Sequence, residues 1–365
     1  MTASSRHFGP PPQSAPRVRL VDVARETGLS KTTVSAALNG TGRLSPAVRA
    51  KVQEAARRMG YRPNATARQL RAGRARLIGY VIGEFADTPW TFLESPYFAR
   101  LTGATAATAL RHGYAVVLLP AGSLQGEWAE LPLDAVVVAD PVADDRVVED
   151  VLAARIPVFS DRSVEGRPGA YWVDVDAAAA MRTALGHLGA EGARRPALVL
   201  PTSATRFHTE VLAEYRAWCA EHGAPELISS AEAAGNGPTV RAVEAALTPA
   251  AGPGKAPDAL LVVAEVSPPL VLEAARRHGY AVPDDLLVVC MSEDTAALHT
   301  EPPVTTLSLR PEAIAEAGTE LLVSVLEEER GEPAGVLLSA RLDVRASSVR
   351  PGRDHASPQA GPART

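Results

Sequence analysis

Between Leu20 and Gly40 the apolar pattern breaks once, at Gly28, and this break constrains the fold more than any other feature of the chain. Val21, Ala24 and Arg25 to Thr27 fit a short helix begun near Leu20, with the small Ala24 on its inner face. Gly28 follows where the chain must turn, and glycine tolerates a left-handed backbone there. Ser30 is a good N-cap for a second helix running to about Leu38. Val34 and Leu38 give that helix its apolar face, and Asn39-Gly40 ends it. The spacing Ala24, Gly28, Val34 is that of a helix-turn-helix, in which a small residue and a turn glycine let two helices cross closely. Lys31, Thr32, Ser35 and Ala36 are then expected at the exposed start of the second helix, the end such motifs place in a major groove. A third helix is expected from Ser45-Pro46, with Ser as cap and Pro at the first helical position. Its stripe Val48, Val52, Ala55 and Met59 closes a three-helix core.

Charge divides the chain at the same place. Residues 17–76 hold fourteen Lys and Arg against three Asp and Glu, whereas residues 77–365 hold twenty-two against thirty-nine. A head at +11 on a body at −17 is expected if only the head meets phosphate. Asn64 to Arg71 follows as a capped segment of about two helical turns, with Ala65, Ala67 and Leu70 on one side. That length is marginal for an isolated helix in water.

The run Asp22-Val-Ala24, Gly28-Leu-Ser-Lys-Thr-Thr-Val-Ser35, Ala37-Leu-Asn-Gly40, Val48-Arg49, Lys51-Val52, Gly60-Tyr-Arg-Pro-Asn64, Ala67 and Leu70 resembles the lactose-repressor/galactose-repressor family of bacterial transcriptional regulators. The resemblance is dense over more than fifty residues and weaker over nearly all the rest. It implies a double-stranded DNA operator as partner and a homodimer as the binding unit. DNA contacts would come from Leu20, Val21, Ser30, Lys31, Thr32, Thr33, Ser35, Ala36, Asn39, Ser45 and Tyr61, and, in a hinge, from Asn64, Ala67, Arg68 and Leu70. The family's hinge helix folds when two copies meet in the minor groove, where Leu70 would wedge between base pairs. Thr33 and Ser35 have a plainer alternative, capping or phosphate contact. Ala36 stands where many members carry arginine. Arginine reads guanine bidentately and alanine meets only a thymine methyl, so an altered half-site is expected, read mainly by Lys31 and Thr32.

From Leu77 the pattern becomes alternating apolar strands and helices. Strands are expected at 77–82, 115–119, 135–139, 156–160, 197–200, 259–263 and 286–290. Helices are expected at 97–112, 144–154, 177–188, 211–221, 240–247, 269–278 and 312–329, with short closing strands over 336–344. Continuous apolar strands between helices mean buried parallel sheets. The expected fold is an all-α helix-turn-helix head plus an α/β, two-lobed, periplasmic-binding-protein-like body of two doubly wound parallel sheets. The domains are 1–17 and 351–365 as disordered tails, 18–63 as head, 64–76 as hinge and linker, and 77–350 as effector-binding and dimerisation body.

In such sheets ligands sit at the carboxyl ends of the strands, so the cleft between lobes is the expected pocket for a small-molecule effector. Candidate effector residues are Trp90, Phe98, Asp161, Arg162, Asp176, Glu265 and Ser292. The sequence departs from the family's pattern at Ala177, Val211, Glu214, Ala264 and Cys290-Met-Ser-Glu293, and several of the polar residues replaced there are ones with which family members hold sugar hydroxyls. A buried polar ligand without matching partners binds poorly. An ordinary sugar held in the family's way is therefore not expected, and a ligand-independent repressor with a decayed pocket stays open as the alternative. The loop from Glu84 to Pro96, with Phe85, Trp90 and Phe92, either lines the pocket or anchors itself on the surface. The crossover between Pro120 and Leu133 has room for only a short helix where the family has a full one, so one lobe is expected to be trimmed.

No phosphate loop, nucleophile elbow or helical pair of metal-binding histidines is present. No enzyme activity, metal or cofactor is expected. The two cysteines, Cys219 and Cys290, suggest reduced thiols rather than a disulfide framework. Without a membrane-length apolar run or the apolar core of a signal peptide, the expected place is the cytoplasm, on the nucleoid, with no membrane partner. That also argues against a secreted solute-binding protein.

Overall fold

The computed structural model describes residues 18–61, 74–83, 95–120, 124, 126–141, 146–164, 167, 170–202, 205–232, 235–248, 256–327 and 335–352. The chain forms two compact units, residues 1–75 and 76–365. Both tails, the hinge from Asn64 to Gly73, and the aromatic loop with Phe85, Trp90 and Phe92 fall outside the described residues.

The first unit contains α1 (Leu20–Thr27), α2 (Lys31–Asn39) and α3 (Pro46–Arg58). Gly28 takes the left-handed conformation expected of it, at φ 69°, and its N–H closes α1. Ser30 accepts a hydrogen bond from the Thr33 N–H, and Ser45 from that of Val48, so α2 and α3 each open on a side-chain cap. Val23, Val34, Ala37 and Val52 are fully buried at the centre. Lys51 Nζ donates to the Thr27 carbonyl at 3.0 Å, tying α3 to the end of α1.

The second unit begins with β1 (Leu77–Ile82), α4 (Pro96–Arg111), β2 (Ala115–Leu118), β3 (Ala135–Ala139), α5 (Arg146–Ala153), β4 (Val158–Ser160) and β5 (Ala170–Val175). It continues with α6 (Ala177–Ala190), β6 (Pro196–Pro201), α7 (Arg206–His222), β7 (Leu227–Ala231), α8 (Asn236–Leu247), β8 (Ala259–Val262), α9 (Pro268–Arg277) and β9 (Leu287–Met291). It ends with β10 (Thr305–Ser308), α10 (Pro311–Leu326), β11 (Gly335–Leu338) and β12 (Arg341–Asp343). The strands make two sheets, ordered β11-β5-β4-β3-β1-β2 and β12-β10-β9-β8-β6-β7. All pairings are parallel except β10 with β12. The order reverses beside β1 and β6, which is the doubly wound plan, and the strands nearest the reversals are buried on both faces as parallel strands must be.

In lobe 1, α4 and α10 cover one face of the sheet. The other face is covered by α5 and by a single 3-10 turn at Trp128–Glu130. That turn stands where the sequence left room for little more, and the Trp128 indole, 1% exposed, fills the space beneath it. The edge strand β2 is correspondingly bare, with Val117 and Leu118 exposed. In lobe 2, α6 and α7 cover one face and α8 and α9 the other. The chain crosses between lobes three times: from β5 to α6, from β10 to α10, and from β11 to β12. At the first crossing the Asp176 N–H donates to the Leu338 carbonyl of the third, at 3.1 Å.

Strands β5, β7 and β10 are additions to the sequence reading. Both cysteines are free and buried, and burial pushes the Cys290 thiol up to about 12, which fits an inert core residue. Among the described residues no helix is long and apolar enough to cross a membrane.

Lobe 1 depends on a close approach at Gly318, where a Cβ would meet the Phe159 ring at 1.9 Å. Phe159 is fully buried on β4 and has little room to yield. Gly318→Ala should therefore lower stability by about 1–3 kcal/mol through overpacking, despite the better helix propensity of alanine. Denaturant unfolding followed by tryptophan fluorescence checks this; an unchanged or raised midpoint would show that α10 shifts freely on the sheet.

Candidate functional site

The head presents the start of α2. Lys31 and Thr32 are exposed there, and Thr33 and Ala36 are half-buried. Thr33 contributes to the cap: its hydroxyl lies 2.8 Å from that of Ser30. Ser35 is placed differently from Lys31 and Thr32. It lies beside the fully buried Val34, is itself only 8% exposed, and accepts a hydrogen bond from Asn39 Nδ2 at 3.3 Å. Its hydroxyl helps to fix the end of α2 instead of projecting outward. Leu20 and Tyr61 are also turned to the core and pack on its edge, and Val21 is half-buried. Ser30, Asn39 and Ser45 are exposed at helix ends. Arg49 Nη2 donates to the Gly42 carbonyl at 2.9 Å and braces the loop after α2. Asn64, Ala67, Arg68 and Leu70 lie outside the described residues.

The second region is a cleft of about 510 Å³ between the lobes, at the carboxyl ends of the strands. Its polar centre is Arg162, just past β4. The guanidinium reaches Asp140 at 3.2 Å, Asp174 at 3.6 Å and Asp161 at 3.9 Å. It donates to the Tyr97 hydroxyl and lies 5.3 Å from the ring centres of both Tyr97 and Phe207. Tyr97 in turn donates to Asp161, and the Asp140 N–H donates to the other Asp161 oxygen. Burial pushes the Asp161 carboxyl up, with Arg162 opposing. Burial likewise raises Asp174, against the pull of Arg162 and two backbone N–H groups. His208, on the lobe 2 side, is held down to about 4 by burial and by the Arg162 charge, so its ring is neutral at pH 7.

Facing this cluster, Glu265 follows β8 and Glu293 follows β9. Burial raises both carboxyls. The nearby Ser95 hydroxyl, at the start of α4, opposes the rise of Glu265. Ser308 and the Leu309 N–H bond Glu293. The lobes also meet where Arg206 Nη1 donates to Ser163 Oγ.

Of the effector residues expected from sequence, Phe98, Arg162, Glu265 and Ser292 line this cleft. Asp161 and Asp176 do not. Asp161 is fully buried behind Arg162 and Tyr97. Asp176 is consumed as the cap of α6, accepting from the Ala179 N–H at 2.7 Å. Trp90 lies outside the described residues. Sequence reasoning passed over Asp140, Tyr97, Phe207, His208 and Glu293 as site residues, all of which line or flank the cleft. Asp140 carried a usable signal, an acid ending an unbroken apolar strand. Of the departures, Val211 proves to be core and Glu214 pairs with Arg182 at 2.9 Å, and neither lines the cleft.

Residues 19–64 match the family model for bacterial regulatory proteins of the lacI family, and residues 185–348 match a periplasmic binding protein-like domain. Among curated relatives, the HTH-type transcriptional regulator CelR of Thermobifida fusca is 28% identical over 91% of this chain and 98% of its own. The regulator MalR of Streptomyces coelicolor is 28% identical over 87% and 91%. Among solved structures, a CelR–cellobiose complex superposes with a TM-score of 0.65 at 25% identity, over 91% of this chain and all of that one. A lac repressor dimer bound to operator and an anti-inducer superposes with a TM-score of 0.75 at 20% identity, over 92% and 100%, a likeness of fold.

Proposed function

This chain belongs to the lacI family of bacterial regulatory proteins, and from that premise we propose that it is a transcriptional repressor acting on a palindromic operator as a homodimer. The protein is a DNA-binding transcriptional regulator. It works by binding, with no catalytic step of its own, in the cytoplasm on the nucleoid. The observation that carries the reading is the capped start of α2, where Lys31 and Thr32 stand exposed on a head of balance +11. Each head reads one half-site in a major groove, and the paired hinge segments bend the centre. A small molecule in the inter-lobe cleft changes the lobe angle and so the hinge spacing. That coupling requires different affinities for the two lobe arrangements. The retained 510 Å³ cleft supports an effector-responsive regulator over a ligand-independent one.

Selection from a random duplex library by the purified full chain tests this. A palindromic preference with a fixed centre is expected; salt-sensitive binding without sequence preference overturns it. The same selection checks Ala36. Ala36→Arg should gain about 1–3 kcal/mol of preference for guanine at one position of each half-site. An unaltered preference would remove position 36 from the reading surface.

A further inference from the structure

We infer that the inter-lobe cleft takes a small organic cation, an ammonium group on a compact apolar or ring-shaped body, in preference to a neutral sugar. The inference rests on the reading of the cleft as the effector site and adds its chemistry.

The cleft is lined by four carboxylates, Asp140, Glu265, Glu293 and Asp294, and by one guanidinium, Arg162. Arg162 is already held by Asp140, Asp161 and Asp174 on the lobe 1 side, so its charge is spent within the protein. The neutral His208 adds none. Glu265 and Glu293 form no ion pair among the described residues. Glu293 is bonded by the Ser308 hydroxyl and the Leu309 N–H, and a hydroxyl, that of Ser95, stands near Glu265. Helices α4, α7, α8 and α9 begin at the cleft, and each N-terminus contributes roughly half a positive charge. Four such ends, about two charges, do not offset the surplus of four carboxylates over one guanidinium. In a partly desolvated cleft this surplus is worth more than on an open surface.

The neutral polar groups are partly committed. The Asn236 side-chain oxygen accepts from the Ser267 N–H, and Ser267 Oγ donates to Asp294. Ser292 Oγ accepts from the Asp294 N–H, and Thr239 Oγ1 donates to the Glu265 carbonyl. Beside the Asn236 amide and Ser292 hydroxyl donors, what the cleft offers a ligand is acceptor capacity on four carboxylates. A sugar hydroxyl uses donors and acceptors together, whereas an ammonium group uses acceptors alone. The remaining walls are apolar, with Phe98, Phe207, Val263, Met291 and Leu309. They suit a compact body behind a charged end.

The test is calorimetric titration of the full chain with three matched pairs: glucosamine and glucose, 1,4-diaminobutane and 1,4-butanediol, phenethylamine and 2-phenylethanol. In at least one pair the ammonium member should bind about tenfold or more tightly than its neutral partner. Glu265→Gln and Glu293→Gln, near-isosteric changes made separately and together, should remove that preference while the variant still unfolds cooperatively. The inference is overturned if neutral members bind as well as cations, if the cation preference survives both substitutions, or if no member of any pair binds at millimolar concentration. Library selection on the same preparation separates the two readings. A palindromic preference without cation binding removes only the cation. A missing sequence preference removes the regulator, whatever the cleft binds.

Discussion

Arg162→Met should cost the two-lobed unit about 3–5 kcal/mol of unfolding free energy at pH 7, the range for removing one partner of a buried charge set. The guanidinium stands among Asp140, Asp161 and Asp174, all nearly or fully buried. Methionine fills much of the space between the Tyr97 and Phe207 rings but leaves the carboxylates without a cation. The pH dependence follows from the direction of the shifts. Burial already raises Asp161 and Asp174 in the folded state, and losing Arg162 raises them further. A carboxyl raised on folding holds protons that the unfolded chain gives up, so its penalty grows as pH rises above the ordinary value of about 4 and fades as pH falls toward it. Urea unfolding at pH 5 and at pH 7.5 should show the larger deficit at the higher pH. An equal deficit at both would assign the loss to packing of the arginine stem. Converting the three acids to Asn alongside Arg162→Met should recover much of the stability, because the uncompensated charges then go with their partner.

The largest effect on DNA is expected at Leu70. Leu70→Ala should lower affinity for the operator roughly 100-fold, about 2.7 kcal/mol, while affinity for random duplex stays nearly constant. A two-turn segment gains little from its own hydrogen bonds, so most of what orders it must come from the groove. A leucine side chain parts a base step and alanine is too short to do so. Non-specific binding rests on phosphate contacts from the basic head and does not need the kink. Equal losses on operator and random DNA, measured by fluorescence anisotropy at one salt concentration, would remove the wedge and leave Leu70 as packing.

How far the fold could be read in advance depended on how loudly each segment spoke. Ala135-Val-Val-Val-Ala139 is apolar throughout because both its faces are covered, and its bounds were legible to the residue. Strand β5 was not: Asp174 interrupts it, and its acid is present because the Ser163 and Val175 N–H groups need an acceptor. Strand β7 lies at a sheet edge, where Ile228 and Ser230 meet solvent, and with two serines in five residues its composition reads as loop. Strand β10 is mostly hydroxyl residues whose partners, Ser347, Ser348 and Arg345, lie some forty positions away. In the head, capping chemistry is local, and Gly28, Ser30 and Ser45 could be placed by sequence. Ser35 could not, since a serine one residue from a buried valine is compatible with either face. In the cleft, Phe98, Arg162, Glu265 and Ser292 were legible, and Asp176 was misread because a cap and a ligand-holding acid look alike at the end of a strand.

The three crossings between lobes bear on how the protein emerges from the ribosome. The head is complete by about residue 60 and can fold early, as N-terminal domains do during synthesis. Neither sheet has that freedom. Lobe 1 waits for α10 and β11 and lobe 2 for β12, segments that the ribosome delivers after all the other strands of both sheets. A premature stop between α9 and β11 would release a competent head on two unfinished sheets, lobe 1 without β11 and lobe 2 without β12, each with an uncovered strand. Such fragments are substrates for proteases and seeds for aggregation, and the cell is thereby spared a truncated head that occupies operators without its control.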